Sequence, residues 1–257
     1  MKFSVITPTY NRPALLLRAV ESVFQQSYTN WEIIVVNDAP EIDVAATLAS
    51  HLSNPRIHLL QNDENRGVNF SRNRALDTVS RDSDYILFLD DDDYLTPGAL
   101  ETIATILKKE ECNWLMTSRG IAATQATTRA PRNETYYKYA WDYLITKKIT
   151  GDATHTIATK YIDGSKARVR FSTHIKQAEE WIFYFAISAY TEPYYTDVVT
   201  TLTEGYTPTG LNSGQKSTTT QLSRISLFIR EGARYNLHKR ASFWFYCGMR
   251  IIRAFIR

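Results

Sequence analysis

Short, unbroken apolar runs recur along the first half of the chain: Phe3 to Thr7, Trp31 to Val36, Ile57 to Leu60 and Tyr85 to Leu89. Runs of this length without polar alternation predict strands buried on both faces, as in a parallel sheet covered by helices. The segments between them change to helical spacing. After Asn11, a good N-cap, and Pro13, which suits a first helical turn, Leu16, Ala19, Val20, Val23 and Phe24 repeat on one face. Further helices are predicted from about Ile42 to Leu52, over Asn69 to Val79 carrying Arg72 and Arg74, and from Pro97 to about Lys109, followed by a strand at Asn113 to Ser118. Alternating strands and helices predict an α/β fold with right-handed crossovers.

The run ending at Leu89 passes directly into Asp90, Asp91, Asp92 and Asp93. The carboxyl ends of strands are where open α/β sheets hold ligands. Four adjacent carboxylates repel, so a fold keeps them only if something offsets them. A divalent cation such as Mg2+ or Mn2+, shared with substrate phosphates, would do so. A solvated acidic turn without a ligand is the alternative. No glycine-rich phosphate loop follows the first strand, which argues against a dinucleotide-binding domain or a P-loop.

Composition narrows the class. With 44% hydrophobic and 22% charged residues in 257, the chain reads as a soluble globular protein with one large domain, or a domain and an appendage. Cys112 and Cys247 have no metal-ligand spacing, which favours a reducing compartment. The N-terminal apolar run is too short for a signal peptide, and a cytoplasmic location is expected. The net charge of +3 is uneven: from Arg224 onward it is +7, leaving −4 on the first 223 residues. A basic tail on an acidic body predicts an anionic partner surface. Projected as a helix, Ser242 to Arg257 places Trp244, Cys247, Gly248, Ile251, Ile252 and Phe255 opposite Arg250, Arg253 and Arg257. That pattern suits a helix lying at a membrane interface, or one packed on the protein's own core.

Four segments in order carry a resemblance: Val5 to Arg12 (VITPTYNR), Glu32 to Asp38 (EIIVVND), Asn65 to Gly67 with Ser71 to Asn73, and Phe88 to Asp93 (FLDDDD). Together they resemble a family 2 glycosyltransferase of the GT-A fold, over roughly the first 118 residues. The resemblance implies a mostly parallel, Rossmann-like sheet flanked by helices, here with an amphipathic helical tail. It also implies inverting transfer from a nucleotide sugar, most naturally UDP-linked, to a saccharide or lipid-linked saccharide in surface polysaccharide or lipopolysaccharide synthesis, with nucleic acid not an expected partner. Thr7, Pro8, Tyr10 and Arg12 would line the donor pocket. Asp38 would meet the uracil ring, Arg72 would lie near the pyrophosphate, and Asp90 and Asp91 would face the ribose or donor sugar. Asp92 would ligate Mn2+ or Mg2+. Gln177 to Phe183 (QAEEWIF) is similar to the family's Glu-Asp-Trp motif, with Glu180 in place of the aspartate that acts as general base; Glu179 and Glu180 could instead be an acidic first helical turn.

Three sections follow from this reading: a donor-binding half (1–118), an acceptor-binding half with the base and a mobile loop (119–221), and the basic tail (222–257). Arg119 to Thr135 reads as a loop, Tyr136 to Tyr143 as a helix, Pro193 to Thr203 as a strand, and Glu204 to Thr220 as a mobile loop without a histidine to complete a metal site. His155 could contact acceptor or phosphate, or be structural. A sugar nucleotidyltransferase and a noncatalytic membrane-docked adaptor are the competing functions.

Overall fold

The computed structural model describes residues 1–123, 135–143, 146, 148, 152–162, 168–174, 180–204, 218–234, 239 and 241–255. Among these residues nine strands form one mixed sheet: β1 (Phe3–Thr9), β2 (Trp31–Asn37), β3 (Ile57–Gln61), β4 (Tyr85–Phe88), β5 (Asp93–Leu95), β6 (Trp114–Ile121), β7 (Thr135–Tyr136), β8 (Ala153–Ala158) and β9 (Tyr194–Thr203). Their order is β3-β2-β1-β4-β8-β6-β9-β5, with β7 beside β9. The β3-β2-β1-β4 block is parallel, as the apolar runs predict. Beyond it, β8 runs antiparallel to both β4 and β6, while β9 is parallel to β6.

Helices cover both faces. Val5, Ile33, Val35 and Leu87 point to one side, where α1 (Pro13–Phe24), α2 (Val44–Thr47) and α4 (Ala99–Lys109) pack. Ile6, Ile34, Val36, Ile86 and Phe88 point to the other, against α3 (Val68–Leu76), α5 (Glu180–Ile187), α6 (Thr218–Arg234) and α7 (Ala241–Phe255). Each inner strand therefore feeds two cores by alternation, which is why apolar residues dominate it on both faces.

Several elements depart from the sequence reading. Asn11 does not cap α1: it takes the left-handed conformation (φ 53°), Arg12 flanks the helix, and no side chain closes its end. Asparagine tolerates that conformation better than most residues. The expected helix at 42–52 is one turn, Val44–Thr47, capped by Asp43. The acidic run is a turn between β4 and the short β5, an edge strand that pairs with β9 far along the chain. Strand β6 continues to Ile121, so Arg119 lies in the sheet and not in a loop. Tyr139–Tyr143 forms a π-helical turn. Of the expected mobile loop, Glu204 to Thr220, residues 205–217 lie outside the described residues and 218–220 belong to α6.

The tail resolves into two stripes. Phe243, Tyr246 and Cys247 are buried, with Phe243 and Tyr246 against Phe228 of α6. Trp244, Phe245, Ile251 and Ile252 face outward, and Phe245 lies beside the exposed Trp141. Cys247 thus belongs to the core, apart from Trp244, Ile251 and Ile252, with which helical projection groups it on one face. The side chains of Arg250, Arg253, Phe255 and Arg257 lie outside the described residues.

Candidate active site

The C-terminal ends of β1, β2 and β4 bring the sequence-predicted residues to one edge of the sheet. Thr7 and Pro8 are buried within β1, whereas Tyr10, just past its end, is 48% exposed at the rim. Asp38 follows β2. Its carboxylate accepts hydrogen bonds from Asn62 Nδ2 (2.7 Å), Arg66 N (2.9 Å) and Gly67 N (2.7 Å). These bonds fix the turn that opens α3. Gly67 has φ 87°, a conformation open to glycine and strained for other residues.

The four aspartates are offset by three arginines, each from a different element. Asp90 pairs with Arg72 of α3 at 2.7 Å. Asp92 pairs with Arg12 at 2.9 Å, and the same guanidinium nitrogen lies 3.5 Å from Asp91. Asp93, fully buried, pairs with Arg119 of β6 at 3.1 Å. Pairing of β6 with β9 is irregular between Thr117 and Arg119, where a bulge re-aims side chains. Asp91 turns inward and accepts from Thr9 Oγ1 at 2.7 Å.

These surroundings separate the proton affinities. Asp90 lies below the usual carboxylate range: burial acts against this, but Arg72 and then Arg119 overcome it. Burial raises Asp91 to about 6 and Asp93 to about 7, with neighbouring aspartates adding to both. One carboxylate oxygen each from Asp90, Asp92 and Asp93 lie within 4.8 Å of one another. Converging hard oxygen ligands of this kind fit Mg2+ or Mn2+.

Glu180 opens α5. Its carboxylate lies 2.8 Å from Arg72 Nη1, so one buried arginine joins it to Asp90. Burial raises the proton affinity of Glu180, Arg72 lowers it, and Asp90 raises it again, for a net increase. Glu179 lies outside the described residues. His155 does not face the acidic turn as a charged group. It is buried, stacked on Tyr184 at 3.7 Å, and its Nδ1 accepts from Trp114 Nε1 at 3.1 Å. Burial, then Arg119, lowers its pKa to about 3. Arg119, Asp93 and Thr9 are site residues that sequence reasoning missed. Thr9 lies inside the matched VITPTYNR segment and Asp93 inside the acidic run, but no sequence signal marks Arg119.

Comparisons with known proteins bear on the family and the fold. The family described as Glycosyl transferase family 2 matches residues 4–174. A relative named as a putative colanic acid biosynthesis glycosyl transferase (WcaA, Escherichia coli K12) is 26% identical over 241 residues, covering 92% of this chain and 81% of that protein. A second, a Campylobacter jejuni GalNAc(5)-diNAcBac-PP-undecaprenol beta-1,3-glucosyltransferase, is 38% identical over 104 residues, 40% of this chain and 33% of its own. Among solved structures, S. aureus TarS 1-349 with UDP-GlcNAc superposes with a TM-score of 0.72 at 20% identity, over 90% of this chain and 66% of that one. Mannosyltransferase PcManGT from Pyrobaculum calidifontis, with GDP-Man and Mn2+, gives 0.60 at 15% identity, over 98% and 72%. At such identities the two structures establish the GT-A fold alone. On the family match and the fold, this chain belongs to glycosyl transferase family 2 and is a glycosyltransferase.

Proposed function

We propose that the chain is an inverting, divalent-metal-dependent enzyme that moves a sugar from a UDP-linked donor to a hydroxyl of a saccharide or lipid-linked saccharide in surface polysaccharide or lipopolysaccharide synthesis. The observation that carries this reading is the Arg72 bridge: a carboxylate of raised proton affinity, Glu180, is fixed beside the acidic turn at the sheet's ligand-binding edge. General bases are tuned upward in this way.

In this reading Glu180 takes the proton of an acceptor hydroxyl. The freed oxygen attacks the anomeric carbon from the face opposite the nucleotide, the bond to the diphosphate breaks, and the nucleotide diphosphate leaves. Mn2+ or Mg2+ held by Asp92, with Asp90 and Asp93 beside it, would supply positive charge for the departing diphosphate. Tyr10 at the rim stacks on the base. Asp38 keeps spare acceptor capacity, since three donors leave part of a carboxylate's lone pairs unused. Arg72 acts by holding two carboxylates in place.

The acceptor class is supported by the names of the relatives, one in colanic acid biosynthesis and one acting on a PP-undecaprenol-linked saccharide. Outward Trp244 and Phe245 on a basic tail support peripheral attachment to an anionic membrane surface, at the cytoplasmic face. Among the described residues no helix is long and apolar enough to cross a membrane.

Calorimetric titration of UDP with and without Mn2+, on the wild type and on Asp92→Ala, tests the donor half. Metal-dependent binding that the variant loses is expected. No binding by the wild type in either condition would reject the UDP reading and direct attention to other nucleotides and then to an adaptor.

A further inference from the structure

The three arginines that offset the acidic turn are not held alike. The side chains of Arg72 and Arg119 are 3% and 17% exposed and face Asp90 and Asp93. Arg12 is 31% exposed, and its partner Asp92 33%. Arg12 Nη1 lies against Asp92 Oδ2 itself, on the carboxylate that the functional reading gives to the metal. A guanidinium and a divalent cation on one carboxylate repel each other strongly at contact distance. The arginines on Asp90 and Asp93 are buried and have little room to leave, whereas Arg12 can turn out into solvent. Asp92 has Arg12 as its side-chain partner at the open edge, and only its main-chain oxygen is taken by Arg18 Nη2, at 3.0 Å.

We propose that Arg12 and a divalent cation occupy the Asp92 carboxylate in turn. Arg12 is the counter-ion of the metal-free turn, and metal entry releases its guanidinium toward the donor's diphosphate. The proposal rests on Asp92 being the metal ligand. It makes metal binding weak in the absence of donor and couples the two: a diphosphate that accepts the displaced Arg12 strengthens metal binding, and by linkage the metal strengthens diphosphate binding equally.

The test is calorimetric titration of Mn2+ alone into the wild type, Arg12→Gln and Arg18→Gln, followed by UDP at saturating Mn2+. Arg18 serves as control because it carries the same charge near Asp92 without touching its carboxylate. Arg12→Gln is expected to bind Mn2+ about fivefold more tightly, the scale of a partly solvated ion pair, while its affinity for UDP falls; Arg18→Gln shifts Mn2+ binding by much less. Mn2+ binding by Arg12→Gln alone, with none by the wild type, also supports the proposal. Equal Mn2+ affinity in the wild type and Arg12→Gln, or equal strengthening in both variants, overturns it while leaving Asp92 as a ligand. Absence of Mn2+ binding in all three overturns both this proposal and the metal reading.

Discussion

Arg72 lies 2.8 Å from Glu180 and, through its other terminal nitrogen, 2.7 Å from Asp90. A single buried guanidinium thereby ties α5, in the second half of the chain, to the acidic turn in the first. Arg72→Ala removes both pairs and leaves two carboxylates facing each other. Loss of about 1–3 kcal/mol in stability is expected, less than for a fully buried pair because both carboxylates are about a third exposed. Arg72→Lys keeps the charge but not the fork, so it should recover stability more than turnover. Denaturant unfolding and steady-state kinetics on both variants would show it; equal recovery of the two would remove the positioning role.

Glu180→Gln should lower kcat by about 10²–10⁴-fold with little change in nucleotide affinity, as for loss of a general base. A base works deprotonated, and the proton affinity of Glu180 is raised. Activity should therefore fall as pH drops through a pKa above the ordinary 4.5 of glutamate. A kcat/KM profile with no acid limb above that value would speak against Glu180.

His155 supplies a separate pH dependence, in stability. Its folded pKa of about 3 lies below the ordinary 6.5, so the unfolded chain binds a proton that the folded one refuses. Stability from this group is complete above 6.5 and declines below it, by about 1.4 kcal/mol per unit down to the folded value. His155→Gln keeps an acceptor for Trp114 but has no such proton. The wild type should lose stability relative to this variant between pH 6.5 and 4; parallel unfolding curves would show that the imidazole is protonated in place.

Trp244 and Phe245 are 53% and 52% exposed, so charging them should cost the fold little. Trp244→Glu with Phe245→Glu is expected to reduce sedimentation with phosphatidylglycerol-containing vesicles at least tenfold, with melting temperature within a few degrees of wild type. Unchanged sedimentation would place membrane contact elsewhere or nowhere.

Much of the site was legible in the chain because its parts lie at strand ends. Continuous apolar runs set the parallel block, and three of its four strands run into a site signal, at Thr9 to Arg12, Asp38 and Asp90. The assumption that a metal alone could offset four aspartates was incomplete. Arg12, Arg72 and Arg119 already do so, and nothing local to the acidic run announces them. The threonine, alanine and arginine that follow Arg119 predict a loop, whereas pairing with β9 extends its strand. The apolar residues of α7 show a related limit. Helical spacing shows which residues share a face, but not which of two apolar arcs α6 covers.

By itself the sequence determined the parallel strands and intervening helices of the first 118 residues, the sheet edge at which the acidic turn lies, and the residue types gathered there, since burial on two faces and charge at a strand end are local patterns. Tertiary structure decided the partners. Arg12 reaches Asp92 across 80 residues and Arg72 reaches Glu180 from a helix in the same layer, because β1 and β4 are neighbours and α3 and α5 pack on the same face of the sheet. Which cation offsets which carboxylate depends on adjacency in the sheet, and that adjacency is a property of the folded chain.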